Sequence, residues 1–174
     1  VIGSVAIAAR ERGLDVVGIY DGFKWISSSS FNPAVHSVPL EIAQVSRIHM
    51  EGGSILRTAR DSLVSKGQID QNKVANVKKV VEELGIGYLV TIGGDDTAFS
   101  SSIVAREMKG ELLVAHVPKT IDNDLPLTGN MPTFGFQTAR EVATQIAKNL
   151  MVDAKTTGRR YIVVMMGRSA GHHA

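Results

Sequence analysis

Residues 87–97 read GYLVTIGGDDT, and this stretch decides the predicted fold. It opens with a near-continuous apolar run, which is typical of a parallel strand that is covered on both faces. The pair Gly93–Gly94 lets the backbone turn tightly, and residues 97–109 then carry a helical pattern that ends at Gly110. A strand, a glycine turn and a helix in this order predict one repeat of an α/β sheet.

The same alternation extends along the chain. Further apolar runs predict strands at residues 14–20, 43–49, 111–117 and 161–166. The run at 43–49 is the weakest and could equally form a helical turn. Helical patterns lie between the runs, at residues 1–12, 70–84 and 136–151. This alternation favours an α/β fold with a doubly wound, mainly parallel sheet, helices on both faces and right-handed crossovers.

Composition narrows the classes of function. The chain has 174 residues, of which 44% are hydrophobic, so it suits one domain with a sizeable core and is not a disordered chain. With no cysteine, a disulfide framework, a thiolate metal site and a cysteine nucleophile are excluded. The net charge of +2 comes from scattered residues and does not indicate nucleic-acid binding. No apolar run approaches the roughly 18 residues of a membrane span, and no signal peptide is visible, so we expect a cytoplasmic protein.

Ligands of a parallel α/β sheet bind beyond the carboxyl ends of its strands, which makes the residues after each predicted strand informative. The first such cluster is GGDDT, Gly93 to Thr97, where glycines allow close approach and the following helix offers free N–H groups to a phosphate. The adjacent carboxylates of Asp95 and Asp96 would repel an anion unless Mg²⁺ joined them, because Mg²⁺ prefers one or two carboxylates plus phosphate oxygens. An ordinary helix N-cap at Asp95 or Asp96 is the alternative.

The second cluster is PKTIDND, residues 118–124. It concentrates one cation (Lys119), one hydroxyl (Thr120) and two carboxylates (Asp122 and Asp124), and in an extended segment the two carboxylates point the same way. Two carboxylates that face one pocket suit general base catalysis. Asp-Asn-Asp is also favourable turn chemistry, so an Asx-rich turn is the alternative that the motif alone leaves open.

The third cluster is MGR, residues 166–168, whose glycine permits close approach and whose arginine offers a fork for a phosphate or carboxylate. The adjacent His172 and His173 do not indicate a metal site, because neighbours on a helix point about 100° apart. A fourth cluster, EGGSILRTAR at residues 51–60, combines glycine and arginine, which suits a polyphosphate. A glycine turn that leads to a solvated helix is the alternative there.

In this order, GGSILRTAR, GGDDT, PKTIDND and MGR resemble the phosphofructokinase family over essentially the whole chain. That family transfers a phosphoryl group to the 1-hydroxyl of fructose 6-phosphate and usually assembles as homodimers or homotetramers with shared active sites. Lipid and NAD kinases have a related glycine turn but lack PKTIDND and MGR. A non-catalytic regulatory subunit or truncated pseudoenzyme is the alternative from another class, and the clusters that match the family's base, metal carboxylate and MGR segment argue against it.

On the sugar side, the resemblance implies that Asp122 is the general base that takes the proton from the 1-hydroxyl. Asp124 is then a supporting carboxylate, while Thr120 and Ile121 contact the sugar or the phosphoryl group in transfer. The remaining residues match the sugar-phosphate segment of the family: Met166, Gly167, Arg168 and Arg159. The last matches an arginine that reaches a neighbouring subunit, an assignment that the adjacent Arg160 leaves open.

On the donor side, the resemblance implies that Asp95 is the carboxylate that holds Mg²⁺, the implied cofactor. Gly94 and Thr97 then lie against the donor phosphates, as expected for a glycine turn followed by a helix N-terminus. Arg60 matches an arginine that bridges the transferring phosphates.

The identity of the donor depends on Asp96 and Lys119. ATP-using bacterial members of the family typically have glycine at both positions, so this charged pair resembles the diphosphate-dependent branch. A carboxylate at position 96 occupies the space that the α-phosphate of ATP needs and repels it, while Lys119 supplies a compensating cation for the phosphoryl transfer. An ATP-dependent phosphofructokinase is the alternative. Because some ATP-using members also carry lysine in PKTIDND, Asp96 is the sharper discriminator.

The resemblance also changes the interpretation of the length. The chain starts at Val1 inside a helical pattern and stops at Ala174, soon after a strand pattern and a glycine. Family members have a first strand and a glycine-rich phosphate loop before the first of these helices, and a second α/β lobe after the last cluster. We therefore expect residues 1–174 to form a phosphoryl-donor-binding α/β lobe that is truncated at both ends, inactive by itself and marginal in stability.

Overall fold

The structure, a computed structural model, describes residues 1–65 and 67–166. The predictions for Gly167, Arg168 and the histidine pair lie outside these residues. The chain divides into two parts, each described by itself below. The first unit is formed by Val1–Thr91 and Asp96–His116, and the second unit by Ile92–Asp95 and the chain from Val117 onward.

Helices and short strands alternate along the described chain. The helices are α1 (Ile2–Arg10), α2 (Phe23–Ile26), α3 (Pro33–His36), α4 (Ile42–Val45), α5 (Gln71–Glu83), α6 (Asp95–Glu107) and α7 (Phe136–Thr157). The strands are β1 (Val17–Ile19), β2 (Ser37–Pro39), β3 (Val64–Ser65), β4 (Gln68–Ile69), β5 (Tyr88–Gly93), β6 (Leu113–Thr120) and β7 (Phe134–Gly135). Short 3₁₀ turns lie at Ile48–Met50 and Thr128–Asn130.

The four longest helices lie where the apolar period predicts them, and their ends follow local signals. Helix α5 begins after Asp70, whose side chain accepts hydrogen bonds from the N–H groups of Asn72 and Lys73 at 3.1 and 3.2 Å, which confirms the predicted N-cap. Gly85, the predicted stop, has a φ of +63°. Helix α6 begins two residues before the predicted start at 97, and α7 continues to Thr157, where Gly158 ends it with a φ of +68°.

We expect Asp70→Ala to lower the free energy of unfolding by about 1 kcal/mol, because it removes the acceptor for two helix N–H groups. The ammonium group of Lys73 pairs with Asp61, so the substitution leaves that ion pair in place. Denaturant unfolding of the full-length gene product measures the change, with Asp70→Asn as the control that keeps an acceptor oxygen. Equal losses in the two variants would contradict the capping explanation.

The central sheet has the strand order β5–β6–β7. Strands β6 and β7 are parallel, with Lys119 opposite Phe134 and Thr120 opposite Gly135. The described chain also forms two small antiparallel sheets, β1–β2 and β3–β4. The prediction that residues 14–20 form a strand of a parallel sheet is therefore wrong: only Val17–Ile19 is a strand, and it pairs with Ser37–Pro39 in antiparallel fashion.

Two other predicted strands are absent from the described residues. The weak run at 43–49 is helical, as its alternative interpretation allowed, since α4 and the 3₁₀ turn occupy it. Residues 161–166 form no strand although their sequence is apolar throughout. Ile162 and Val164 are 95% and 87% exposed. An apolar run becomes a strand only where a neighbouring strand accepts its backbone hydrogen bonds, which the run itself cannot supply.

The core of the first unit lies between α5, α6 and β5–β6. It includes Val74, Val77, Val80, Val81, Ile103, Val104, Met108 and Leu112. Burial alternates along the strands: Leu89 and Val114 pack against this core, whereas Tyr88 and Leu113 are 62% and 66% exposed. In the described residues, one face of β5 and β6 therefore packs on this core, and the other face carries exposed side chains.

Helix α1 packs separately on α4, around Ala6, Leu40 and Val45. At the edge of this cluster the Arg10 guanidinium pairs with Glu41 and with Asp15. The hydrogen bond from Arg10 lowers the pKa of the Glu41 carboxyl below its usual value. Among the described residues, no helix is both long and apolar enough to cross a lipid bilayer.

Candidate active site

The PKTIDND segment begins as the end of β6 and continues as a tight turn. Lys119 and Thr120 are the last residues of the strand, and their register with β7 sets where the following residues lie. The Asp122 N–H donates to the Thr120 Oγ1 at 3.1 Å, and Asn123 has a φ of +53°. The segment is therefore not extended, so the strand alternation used to align Asp122 with Asp124 does not apply to it. Asp122 is half-buried and Asp124 is exposed.

Thr133, which the sequence did not single out, closes this turn. Its side chain is buried, its Oγ1 donates to the Thr120 carbonyl oxygen at 2.7 Å, and its N–H donates to Asn123 Oδ1 at 2.8 Å. The two partners lie on either side of Ile121 and Asp122. Thr133 lies in an ordinary PTF sequence, and no local signal identifies it, because its partners are 10 and 13 residues away along the chain.

The glycine turn after β5 lies beside this loop within the second unit. A Cβ added to Gly94 would lie 4.0 Å from the Thr120 Cβ, so two of the predicted strand-end clusters come together here. Asp95 is exposed and is the first residue of α6. A carboxylate is favourable at that place because the N-terminal end of a helix carries partial positive charge. The second unit thus groups Gly94 and Asp95 with the residues from Lys119 to Asp124.

Three predicted donor-side residues belong to the first unit. Asp96 is exposed as the second residue of α6, and Thr97 is half-buried, with its carbonyl oxygen accepting from the Ser101 hydroxyl at 2.6 Å. Arg60 is exposed in an irregular stretch, so the alternative of a solvated helix after the glycines is wrong. The neighbouring Arg57 lies over the Tyr20 ring at 4.8 Å.

The predicted sugar-phosphate residues lie near the end of the described chain. Arg159 follows the glycine that ends α7, and Arg159, Arg160 and Met166 are all exposed. Arg159 and Arg160 line a shallow groove with Leu150 and Met151 of α7. The structure does not distinguish the two arginines, so the role of Arg159 stays a prediction.

The strand–glycine turn–helix unit and the parallel pairing of β6 with β7 define an α/β protein. The family model described as phosphofructokinase matches residues 1–174, and the chain therefore belongs to the phosphofructokinase family. A solved structure, Pichia pastoris phosphofructokinase in the T-state, matches with a TM-score of 0.76 over 99% of this chain and 20% of that chain. At 18% identity this likeness bears on the fold alone and supports the α/β assignment.

Named relatives make the comparison more specific. The chain is 58% identical over its whole length to a pyrophosphate–fructose 6-phosphate 1-phosphotransferase of Thermotoga maritima, and it covers 40% of that protein. It is 48% identical to a protein of the same name from Naegleria fowleri, of which it covers 38%. An ATP-dependent 6-phosphofructokinase of Chloroflexus aggregans is 34% identical over 98% of this chain and 46% of its own. The chain thus spans less than half the length of these relatives.

Proposed function

We propose that the full-length gene product that carries this chain transfers a phosphoryl group from diphosphate to the 1-hydroxyl of fructose 6-phosphate, giving fructose 1,6-bisphosphate and phosphate. The observation that carries the proposal is the presence of two charged residues, Asp96 within GGDDT and Lys119 within PKTIDND. Relatives at 58% and 48% identity are named for diphosphate as donor, which supports the same choice. The reaction runs in both directions, as in the branch that the pair resembles.

In this proposal the loop after β6 holds the acceptor. Asp122 accepts the proton of the 1-hydroxyl as that oxygen attacks the diphosphate, and its half-burial limits competition from water. Thr120 and Ile121 lie at the start of the same turn and contact the sugar. Asp124 is exposed next to them and supports the base as a second carboxylate. Met166, Gly167 and Arg168 bind the sugar phosphate, and Arg159 reaches the site of a neighbouring subunit in a homodimer or homotetramer.

The donor lies against the glycine turn. By resemblance to the family, Gly94 leaves the backbone accessible to the donor, Thr97 and Arg60 bind the phosphates, and Lys119 stabilises the charge that develops on diphosphate. The residues fit Mg²⁺, because Asp95 offers an exposed hard oxygen ligand at the first turn of a helix. When bound, Mg²⁺ neutralises charge on the diphosphate oxygens. We assign residues 1–174 as the phosphoryl-donor-binding lobe of a cytoplasmic protein without nucleic-acid or membrane partners.

A coupled assay of the full-length gene product tests the function. We expect fructose 1,6-bisphosphate to form from fructose 6-phosphate, diphosphate and Mg²⁺, and diphosphate to form when the product is supplied with phosphate. Chelation of Mg²⁺ should abolish both directions and added Mg²⁺ should restore them. The second candidate is an ATP-dependent phosphofructokinase, and similarity to an ATP-dependent relative at 34% identity is the reason to test it. Product formation with ATP but not with diphosphate would establish this second candidate.

A further inference from the structure

We propose that Thr133 is a positioning residue for the transfer: through Thr120 and Asn123 it holds the turn that presents Asp122. We call these two hydrogen bonds from Thr133 the Thr133 latch. The inference rests on the proposed function, because Asp122 matters as a base only in that reaction. The latch itself is a feature of the described chain and can be measured without any turnover.

The latch joins one buried residue, through its hydroxyl and its backbone N–H, to both ends of a short loop. Thr133 is only 2% exposed. Its hydroxyl donates to the Thr120 carbonyl oxygen at 2.7 Å, and its backbone N–H donates to Asn123 Oδ1 at 2.8 Å. The single hydroxyl proton is directed to Thr120, since the distance from Thr133 Oγ1 to Asn123 Oδ1 is longer, at 3.4 Å. This hydrogen bond is partly buried, and its loss leaves the Thr120 carbonyl oxygen without that donor, so the bond favours one loop conformation.

The anchored residues enclose the proposed base. Thr120 uses its carbonyl oxygen for the latch and its hydroxyl to accept from the Asp122 N–H at 3.1 Å. Asn123, directly after the base, has a φ of +53°, a left-handed conformation that asparagine adopts more readily than most residues. Its side-chain amide is fixed by the Thr133 N–H. The backbone of Asp122 is therefore held from both sides.

The sheet fixes the place of the latch. Thr133 directly precedes β7, whose pairing with β6 sets Thr120 opposite Gly135. The carbonyl oxygen of Thr133 also accepts from the N–H of Phe136, the first residue of α7, at 3.2 Å. Thr133 thus couples a strand end, a helix start and the loop of the base. Because a displacement of about 1 Å can cost about 10²-fold in rate, such an anchor affects turnover without touching substrate.

Kinetics of three variants of the full-length gene product test the latch. Thr133→Val keeps the shape and removes the hydroxyl, and we expect kcat to fall about 10- to 100-fold while KM for fructose 6-phosphate changes less than kcat does. Thr133→Ser keeps the hydroxyl and should restore kcat to within about 3-fold of the unaltered protein. Thr144→Val is the matched control, since the Thr144 hydroxyl donates to the Arg140 carbonyl oxygen of its own helix. Wild-type kcat in Thr133→Val, or no rescue by serine, would overturn the proposal.

A second variant covers the case in which Thr133→Val does not fold. Asn123→Gly tolerates the positive φ and removes the side-chain acceptor of the latch. We expect its kcat to fall as well. Unchanged kcat in Asn123→Gly would contradict the latch.

Hydrogen exchange tests the Thr133 latch independently of the proposed function. We expect the amides of residues 120–124 to exchange faster in Thr133→Val than in the unaltered protein, and at the unaltered rate in Thr133→Ser. If the full-length gene product transfers no phosphoryl group from either donor, the proposed function fails, and exchange alone decides the latch. Unchanged exchange in Thr133→Val would overturn the latch even in an active protein.

Discussion

Replacing Asp122 with asparagine is expected to lower kcat of the full-length gene product by about 10²- to 10⁴-fold, with a much smaller change in KM for fructose 6-phosphate. That range is the usual contribution of a positioned general base, which acts on the transition state more than on the bound substrate. The substitution preserves the shape of the turn, because Asp122 contributes its backbone N–H to it, donated to the Thr120 hydroxyl. Steady-state kinetics with fructose 6-phosphate and diphosphate measure both constants.

Asp124→Asn is the matched control for this prediction. Asp124 lies two positions further along the same loop but is exposed, whereas Asp122 is half-buried. Substitution of a supporting carboxylate should lower kcat clearly less than substitution of the base. If the two variants lose kcat equally, the assignment of the base to Asp122 is wrong, and if KM rises as much as kcat falls, Asp122 binds the sugar instead.

Removing the charged pair is the second change with a large expected effect. We expect Asp96→Gly combined with Lys119→Gly to raise kcat/KM for ATP and to lower it for diphosphate. Two unit charges about 4 Å apart repel by about 1 kcal/mol in water and by about 4 kcal/mol at an effective dielectric near 20. These two energies correspond to roughly 5-fold and 1000-fold differences in kcat/KM for ATP. Because Asp96 is exposed in the described structure, the lower half of that range applies until a bound donor excludes water.

Single variants separate the two physical causes. Asp96→Asn removes the charge but keeps the volume. It should therefore remove the electrostatic repulsion of the α-phosphate of ATP and leave its steric exclusion in place. Lys119→Gly alone should lower use of diphosphate without opening space for ATP. Kinetics with each donor at one ionic strength measure these changes. A double variant that loses diphosphate activity and gains no ATP use would show that the space and charge at position 96 do not select the donor.

Much of the fold could be predicted from the sequence because its signals are local. Helix α5 illustrates this, since its valine face, the Asp70 cap and the Gly85 stop are all read within 16 consecutive residues. The strands β5 and β6 likewise lie close to their apolar runs. The clusters that follow them, GGDDT and PKTIDND, are defined by residue types and spacing, and they indicate the family that the whole chain matches.

Features that depend on a distant partner in the chain differ from what the sequence predicts. The apolar run at 161–166 has the composition of a strand but no strand conformation. Val17–Ile19 is a strand, but it pairs with Ser37–Pro39, a segment that no sequence pattern marks as a strand. Periodicity shows which side chains could be buried, but only packing shows whether anything covers them.

The candidate site divides in the same way. The sequence by itself determined the chemical inventory: the family, the carboxylates and cation of PKTIDND, the glycine turn, and the charge at Asp96. Tertiary structure decided the arrangement, bringing Gly94 beside Thr120 and bending the loop at Asn123. It also supplied Thr133, whose hydrogen bonds span 10 and 13 residues. The reason is physical: residue types and short-range turns are local properties, whereas a hydrogen bond between separated residues exists only once the sheet has paired β6 with β7.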